Sequence, residues 1–197
     1  MFQPFTRARR AGMAVATVAL ASLVFTGCTA TSHKDSGSAE SQRQQISSAA
    51  DNTLSRLYQA VPGSQQMVQQ AKGVLVFPSV VSASFIVGAQ YGKGVLQVGG
   101  RDVGYYSNTG GSVGFQAGAQ SQAIVLLFMT ETALNNFRNS NGWTAGVDAS
   151  VAVATVGANG RVDTATAQKP VVGFVLTNAG LAAGVSFEGA KISKLDL

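Results

Sequence analysis

Cysteine and histidine each occur once in this chain, as Cys28 and His33. One thiol cannot form an internal disulfide, and a lone histidine in the polar stretch TATSHKDSGSAES (29–41) leaves no means to build a His-based triad or a Cys/His metal cluster. Charge is also sparse: Asp, Glu, Lys and Arg make up 12% of the residues. The basic residues are scattered singly, without the dense Lys/Arg patch and interleaved aromatics of a nucleic-acid surface. The apolar run at 11–25, AGMAVATVALASLVF, is about 15 residues long, short of the ~20 that span a bilayer as a helix.

That run follows Arg7, Arg9 and Arg10 and precedes Thr26, Gly27 and Cys28, with Phe25 at the position where an aliphatic residue is usual. A positive start, a short apolar core and small residues before a cysteine together predict a cleavable lipoprotein signal over residues 1–27. Cys28 is then the site of lipid attachment, which also occupies an otherwise unpaired thiol. Thr29, rather than Asp, points to an outer-membrane destination facing the periplasm. Three of the 14 basic residues and none of the 9 acidic ones lie in this segment, so the rest of the chain carries a net charge of only +2.

Beyond Cys28, residues 28–41 read as a flexible tether and 42–197 as the folded domain. Ile46, Ala50, Leu54, Leu57, Tyr58 and Val61 recur at three- and four-residue spacing and predict a helix over 42–60. Pro62 and Gly63 stop it, and Ser64 is expected to cap a shorter helix to Lys72. From Gly73 the period changes. Short apolar runs at 74–78, 84–92, 94–100, 111–120, 122–129, 143–156, 171–178, 180–189 and 190–195 predict strands. A short helix over 131–139 turns Leu134 and Phe137 inward, and 157–170 reads as a loop. Turns are expected around Lys93, Ala179 and Gly189, which makes the sheet mostly antiparallel. Trp143, the only tryptophan, reads as a core anchor.

Four segments alternate small or polar residues with larger ones: Gly88, Gln90 and Gly92; Gly114, Gln116, Gly118 and Gln120; Gly146, Asp148 and Ser150; Gly184, Ser186 and Glu188. Period two places each set on one strand face, opposite Val87, Ala89 and Tyr91, Val113 and Phe115, Val147 and Val151, and Val185 and Phe187. Such a small-residue face permits strong bending or a narrow interior. The fold expected is α+β: N-terminal helices on a strongly bent, mostly antiparallel Gly-rich sheet with a short inserted helix.

The blocks AKGVLVFPSVVSASFIVGAQYGKGVLQV, SVGFQAGAQSQAIVLLFMTETALNNFRNSNGWTAGVDASVAV and VVGFVLTNAGLAAGVSFEGAKISKL resemble the SYLF domain, over residues 50–195. The eukaryotic members include yeast actin-binding proteins and an SH3-containing phosphoinositide-binding protein; bacterial members are commonly exported or lipidated. The resemblance implies a non-enzymatic lipid-binding module, with membrane contact at the N-terminal helix and nearby cations. By position these are the helix at 42–60 and Lys72, with Arg56, Lys93 and Arg101 as further candidate lipid-binding cations. No cofactor, metal, nucleic acid or catalytic residue is expected. The partners expected are envelope membrane lipids, through the covalent anchor and by direct contact with an anionic headgroup. The alternative is a structural or protein-interaction role, including actin binding if the domain is exposed to a host.

Overall fold

Three apolar runs, VLVF (74–77), AIVLLF (123–128) and VVGFVL (171–176), are buried at every residue rather than at alternate ones. A strand buried on both faces must lie between two layers, and in the computed structural model it does. The structure describes residues 36–84, 87–113, 118–156, 162–182 and 185–197. Cys28, His33, Gly114, Phe115, Gln116, Gly184 and the segment 1–27 lie outside the described residues.

The helices are α1 (Ser36–Ala60), α2 (Ser64–Gln70), α3 (Glu131–Asn139) and α4 (Thr164–Ala167). The strands are β1 (Gly73–Ser84), β2 (Val87–Val98), β3 (Arg101–Val113), β4 (Gly118–Phe128), β5 (Trp143–Thr144), β6 (Ala152–Val153), β7 (Val171–Thr177), β8 (Gly180–Leu181) and β9 (Lys191–Leu195). They form one nine-stranded, strongly curled sheet in the order β5-β9-β3-β2-β1-β4-β7-β6, with β8 on β7. Its ladders are antiparallel except β6 on β7. The α+β arrangement read from the sequence is the one observed.

On one face, Ala50, Leu54 and Leu57 of α1, Val61 just past its end and Met67 of α2 pack on Val74, Val76, Val95, Val125, Leu127 and Phe174. On the other, Leu134 and Phe137 of α3 join Leu75, Phe77, Leu96, Ile124, Leu126 and Phe128. Trp143 is 1% exposed and meets Phe128 and Phe137 edge-on, at ring-centroid distances of 6.3 and 5.8 Å. Thr130 caps α3 by accepting from the Ala133 amide at 3.2 Å.

Several local expectations change. The helix α1 starts at Ser36, inside the stretch expected to be tether. The N-cap of α2 is Gly63, at φ 87°, and Ser64 is buried with its hydroxyl donating to the Leu57 carbonyl at 3.2 Å. Gly92, Lys93 and Gly94 are not a turn but the middle of β2. The register shows why: β1 carries one extra residue between Val76 and Ser79, a bulge around Pro78, where a residue with no N–H is tolerated in a central strand. The bulged backbone leans onto β2. A Cβ on Gly94 would lie 2.4 Å from the Val76 carbonyl oxygen, and one on Gly92 would lie 2.7 Å from that of Ser79. The turn that does exist, Gly99 and Gly100 at φ 58° and 74°, joins β2 to β3, a positive-φ pair typical of a tight hairpin. Strand β3 occupies 101–113, a stretch where the sequence reading placed no strand before 111. Most of 143–156 and of the described part of 180–189 is irregular, with the short β5, β6 and β8 among the described residues, and Gly146 (φ 86°) and Asp148 sit in a turn where the Asp148 carboxylate accepts from the Thr144 amide at 2.6 Å.

Candidate functional site

The apolar stripe of α1 is spent inside the domain. Ala50, Leu57 and Val61 are fully buried against the sheet, so the face α1 presents outward is polar, with Asp51, Asn52, Ser55, Arg56 and Gln59 exposed. Membrane contact by this helix is therefore a matter of surface charge unless α1 leaves the sheet.

The candidate cations do not converge. Arg56 donates from Nη2 to the Thr177 carbonyl at 3.1 Å, at the β7–β8 corner. Lys93 points to the α1 side of the sheet, where its Nζ donates to Gln42 Oε1 at 3.0 Å. Arg101 is exposed just past the Gly99–Gly100 turn, at the start of β3. Lys72 is exposed between α2 and β1, held by its backbone N–H to the Phe128 carbonyl at 2.8 Å. In the strand order, β2, β1 and β4 stand between the β3 of Arg101 and the β7 that Arg56 contacts. Arg56 lines a concavity, a cleft of about 260 Å³ shared with Gln59, Ala60, Leu176, Thr177, Asn178 and Gly180. One guanidinium and two side-chain amides at its wall can hydrogen-bond a small oxyanion.

A second concavity lies on the opposite face. The even-numbered residues of β2 point inward there, and Gln90 donates from Nε2 to Asn108 Oδ1 of β3 at 3.3 Å, with Asn108 1% exposed. Gln90, Gly111, Gln122 and Ile124 form one wall and residues 185–188 with Ala190 the other, around about 350 Å³. On β2 the alternation of small and polar residues does mark one face, and that face curls inward; Gly146, Asp148, Ser150, Ser186 and Glu188, expected on strand faces, lie instead in turns or irregular backbone. The expected apolar counterpart is partly in solvent: Tyr91 is 48% exposed and Val147 79%. Burial raises the Tyr106 hydroxyl above its ordinary pKa, with Arg138 opposing; burial and then Asp51 raise that of Tyr58.

Residues 109–196 match the protein-family model described as "Ysc84: Las17-binding protein actin regulator". That stretch of the chain is therefore similar to the Ysc84/SYLF family. The SH3 domain-containing YSC84-like protein 1 of Xenopus laevis is 31% identical over 132 residues, which cover 63% of this chain and 38% of that relative. The SYLF family match begins in the second half of β3 and runs through β9, so it takes in the 350 Å³ concavity's far wall, Gln122 and Ile124, but not Arg56, Lys72, Lys93 or Arg101. Among the described residues, no three His, Cys, Asp or Glu side chains are grouped to hold a metal ion, and no helix is long and apolar enough to cross a membrane.

Proposed function

We propose that this chain is a membrane-tethered, non-enzymatic binding module of a bacterial envelope. In this reading lipid on Cys28 holds it at the periplasmic face of the outer membrane, and the SYLF domain touches an anionic lipid headgroup through Arg56. The observation that carries the headgroup contact is the cleft at the β7–β8 corner, where Arg56 stands beside Gln59 and Asn178. A guanidinium has five N–H donors in a fork that matches phosphate oxygens. One of them already serves the Thr177 carbonyl, which holds the fork in place and leaves the others to a ligand.

Magnitudes divide the labour. A single cation near an anionic surface contributes about 1 kcal/mol, whereas a lipid chain contributes about 0.8 kcal/mol per buried CH₂. The anchor therefore sets residence on the membrane, and Arg56 sets orientation and headgroup preference. The test uses the full-length chain in neutral detergent, titrated with short-chain phosphatidylglycerol and phosphatidylcholine. Saturable, salt-sensitive preference for the anionic lipid, weakened several-fold by Arg56→Gln, is expected. Equal binding of both lipids, or an unchanged Arg56→Gln, would end the headgroup reading.

The family description favours a second reading, a protein partner, because it names an actin regulator. Actin is absent from a periplasm, so this requires exposure to a host. Cosedimentation of the full-length chain with filamentous actin decides it, and no pelleting removes the idea.

A further inference from the structure

The 350 Å³ concavity has a volume near the lower end of small-molecule sites, and its walls divide by chemistry. Ile124, Val185, Phe187 and Ala190 supply an apolar side. Gln90 and Gln122 supply neutral amides from β2 and β4, the two neighbours of β1. Because Gln90 donates its Nε2 to Asn108, its carbonyl oxygen remains as an acceptor. Glu188 is the only charged side chain among the described residues of the lining.

Glu188 is placed rather than incidental. It also lines a smaller cavity of about 160 Å³ on the other side of the 185–188 segment, with Gly146 and Ser150. Gly146, at φ 86°, leaves it room: a Cβ there would lie 3.1 Å from Glu188 Cγ. Among the described residues the only ion pair is Arg43 with Glu40, so no described cation neutralises Glu188.

We infer that this cavity binds a primary ammonium group on a short hydrocarbon stem. An ammonium has three N–H donors and no acceptor, and the polar lining offers it a carboxylate and amide carbonyls. The stem lies along Ile124, Val185 and Phe187. Among the described residues an anion would meet Glu188 as its only charged neighbour, and a neutral ligand would leave that carboxylate without a described counter-charge. The ammonium belongs either to a free alkylamine or to a lysine side chain of a partner protein. The inference is independent of the headgroup contact at Arg56, which lies on the opposite face of the sheet.

The full-length chain in neutral detergent is titrated with n-butylammonium, with n-butanol as the uncharged equivalent, and with Nα-acetyl-lysine N-methylamide. Binding is read by calorimetry and by NMR of the Gln90 and Gln122 side-chain amides. Saturable binding of at least one of the two ammonium compounds is expected, with those amide signals shifting. Since an ion pair at an exposed carboxylate contributes up to about 1 kcal/mol, Glu188→Gln should weaken it up to about fivefold, while Glu188→Asp retains it. Tighter binding of the lysine derivative assigns the ammonium to a protein partner; tighter binding of butylammonium assigns it to a free amine. Glu188 is exposed, so Glu188→Gln should melt at the wild-type temperature, and that melting curve separates lost binding from lost fold. Equal binding of butanol, no binding of either ammonium, or full affinity in a folded Glu188→Gln protein overturns the inference.

Discussion

Gly94 and Lys93 are neighbours in β2 with opposite tolerance to change. At Gly94 an added methyl would meet the backbone of the β1 bulge at 2.4 Å and the Phe77 ring at 2.5 Å. Neither strand can retreat without breaking its ladder. Gly94→Ala should therefore lose about 3 kcal/mol in urea unfolding, the upper end of ordinary overpacking, whereas Lys93→Ala forfeits one hydrogen bond to Gln42, worth about 1 kcal/mol. The sequence shows the glycines but not their reason, because the Gly-Lys-Gly spacing of a turn and of a bulge partner is the same. Only the register across to Pro78 separates the two. The Tyr106 hydroxyl makes a pH statement at the same scale. Its pKa is raised in the folded state by burial, so the native protein keeps a proton that the unfolded chain releases near pH 10. Stability from this group is complete below pH 10 and falls as pH rises above it. A thermal-melting series from pH 8 to 11 should show this alkaline loss, and Tyr106→Phe should flatten it.

At the scale of elements, α1 is held by its apolar stripe and not by its ends. Leu57 is fully buried between the helix and the sheet, and Leu57→Ala should cost about 2–5 kcal/mol by urea unfolding. Thr130→Ala removes one cap bond from α3 and should cost about 1 kcal/mol. The stripe was legible because its 3.6-residue period runs unbroken from Ile46 to Val61. The first turns of α1 were not, since Ser36, Gly37 and Ser38 carry no apolar signal. Once the packed part has nucleated, each further residue adds a bond at little cost, and the Glu40–Arg43 pair at 3.2 Å lies one turn apart on that extension. Strand β3 was missed for a related reason: its polar and glycine residues from 101 to 110 show no run of apolar residues, while the Gly-Gly pair before it is a hairpin signal.

At the scale of the molecule, strand order decides which candidate residues can cooperate, and strand order is what a single sequence conceals. Arg56 and Arg101 looked equivalent as isolated cations; three strands now separate their positions. If the Arg56 cleft holds the headgroup, Arg101→Gln should leave the preference for short-chain phosphatidylglycerol within about twofold of wild type, a change smaller than ~0.5 kcal/mol, while Arg56→Gln lowers it. The inward face of β2 was legible from alternation alone, yet the cavity was not. Its far wall is the irregular segment 185–190, which the same alternation had assigned to a strand.

The sheet's middle belongs to β1, but one of its flanks is closed by β9, with Tyr105 opposite Leu195 and Thr109 opposite Lys191. Until residues 191–195 are available, β3 has an open edge of unpaired N–H and C=O groups, with half-exposed Tyr91 on the strand beside it. Such an edge invites pairing with another chain, and contacts this distant in sequence form late and slowly. Folding of this domain is thus a race between docking of β9 and self-association. A chain lacking residues 191–197 should lose that race, appearing in the aggregated fraction of a refolding experiment in proportion to its concentration.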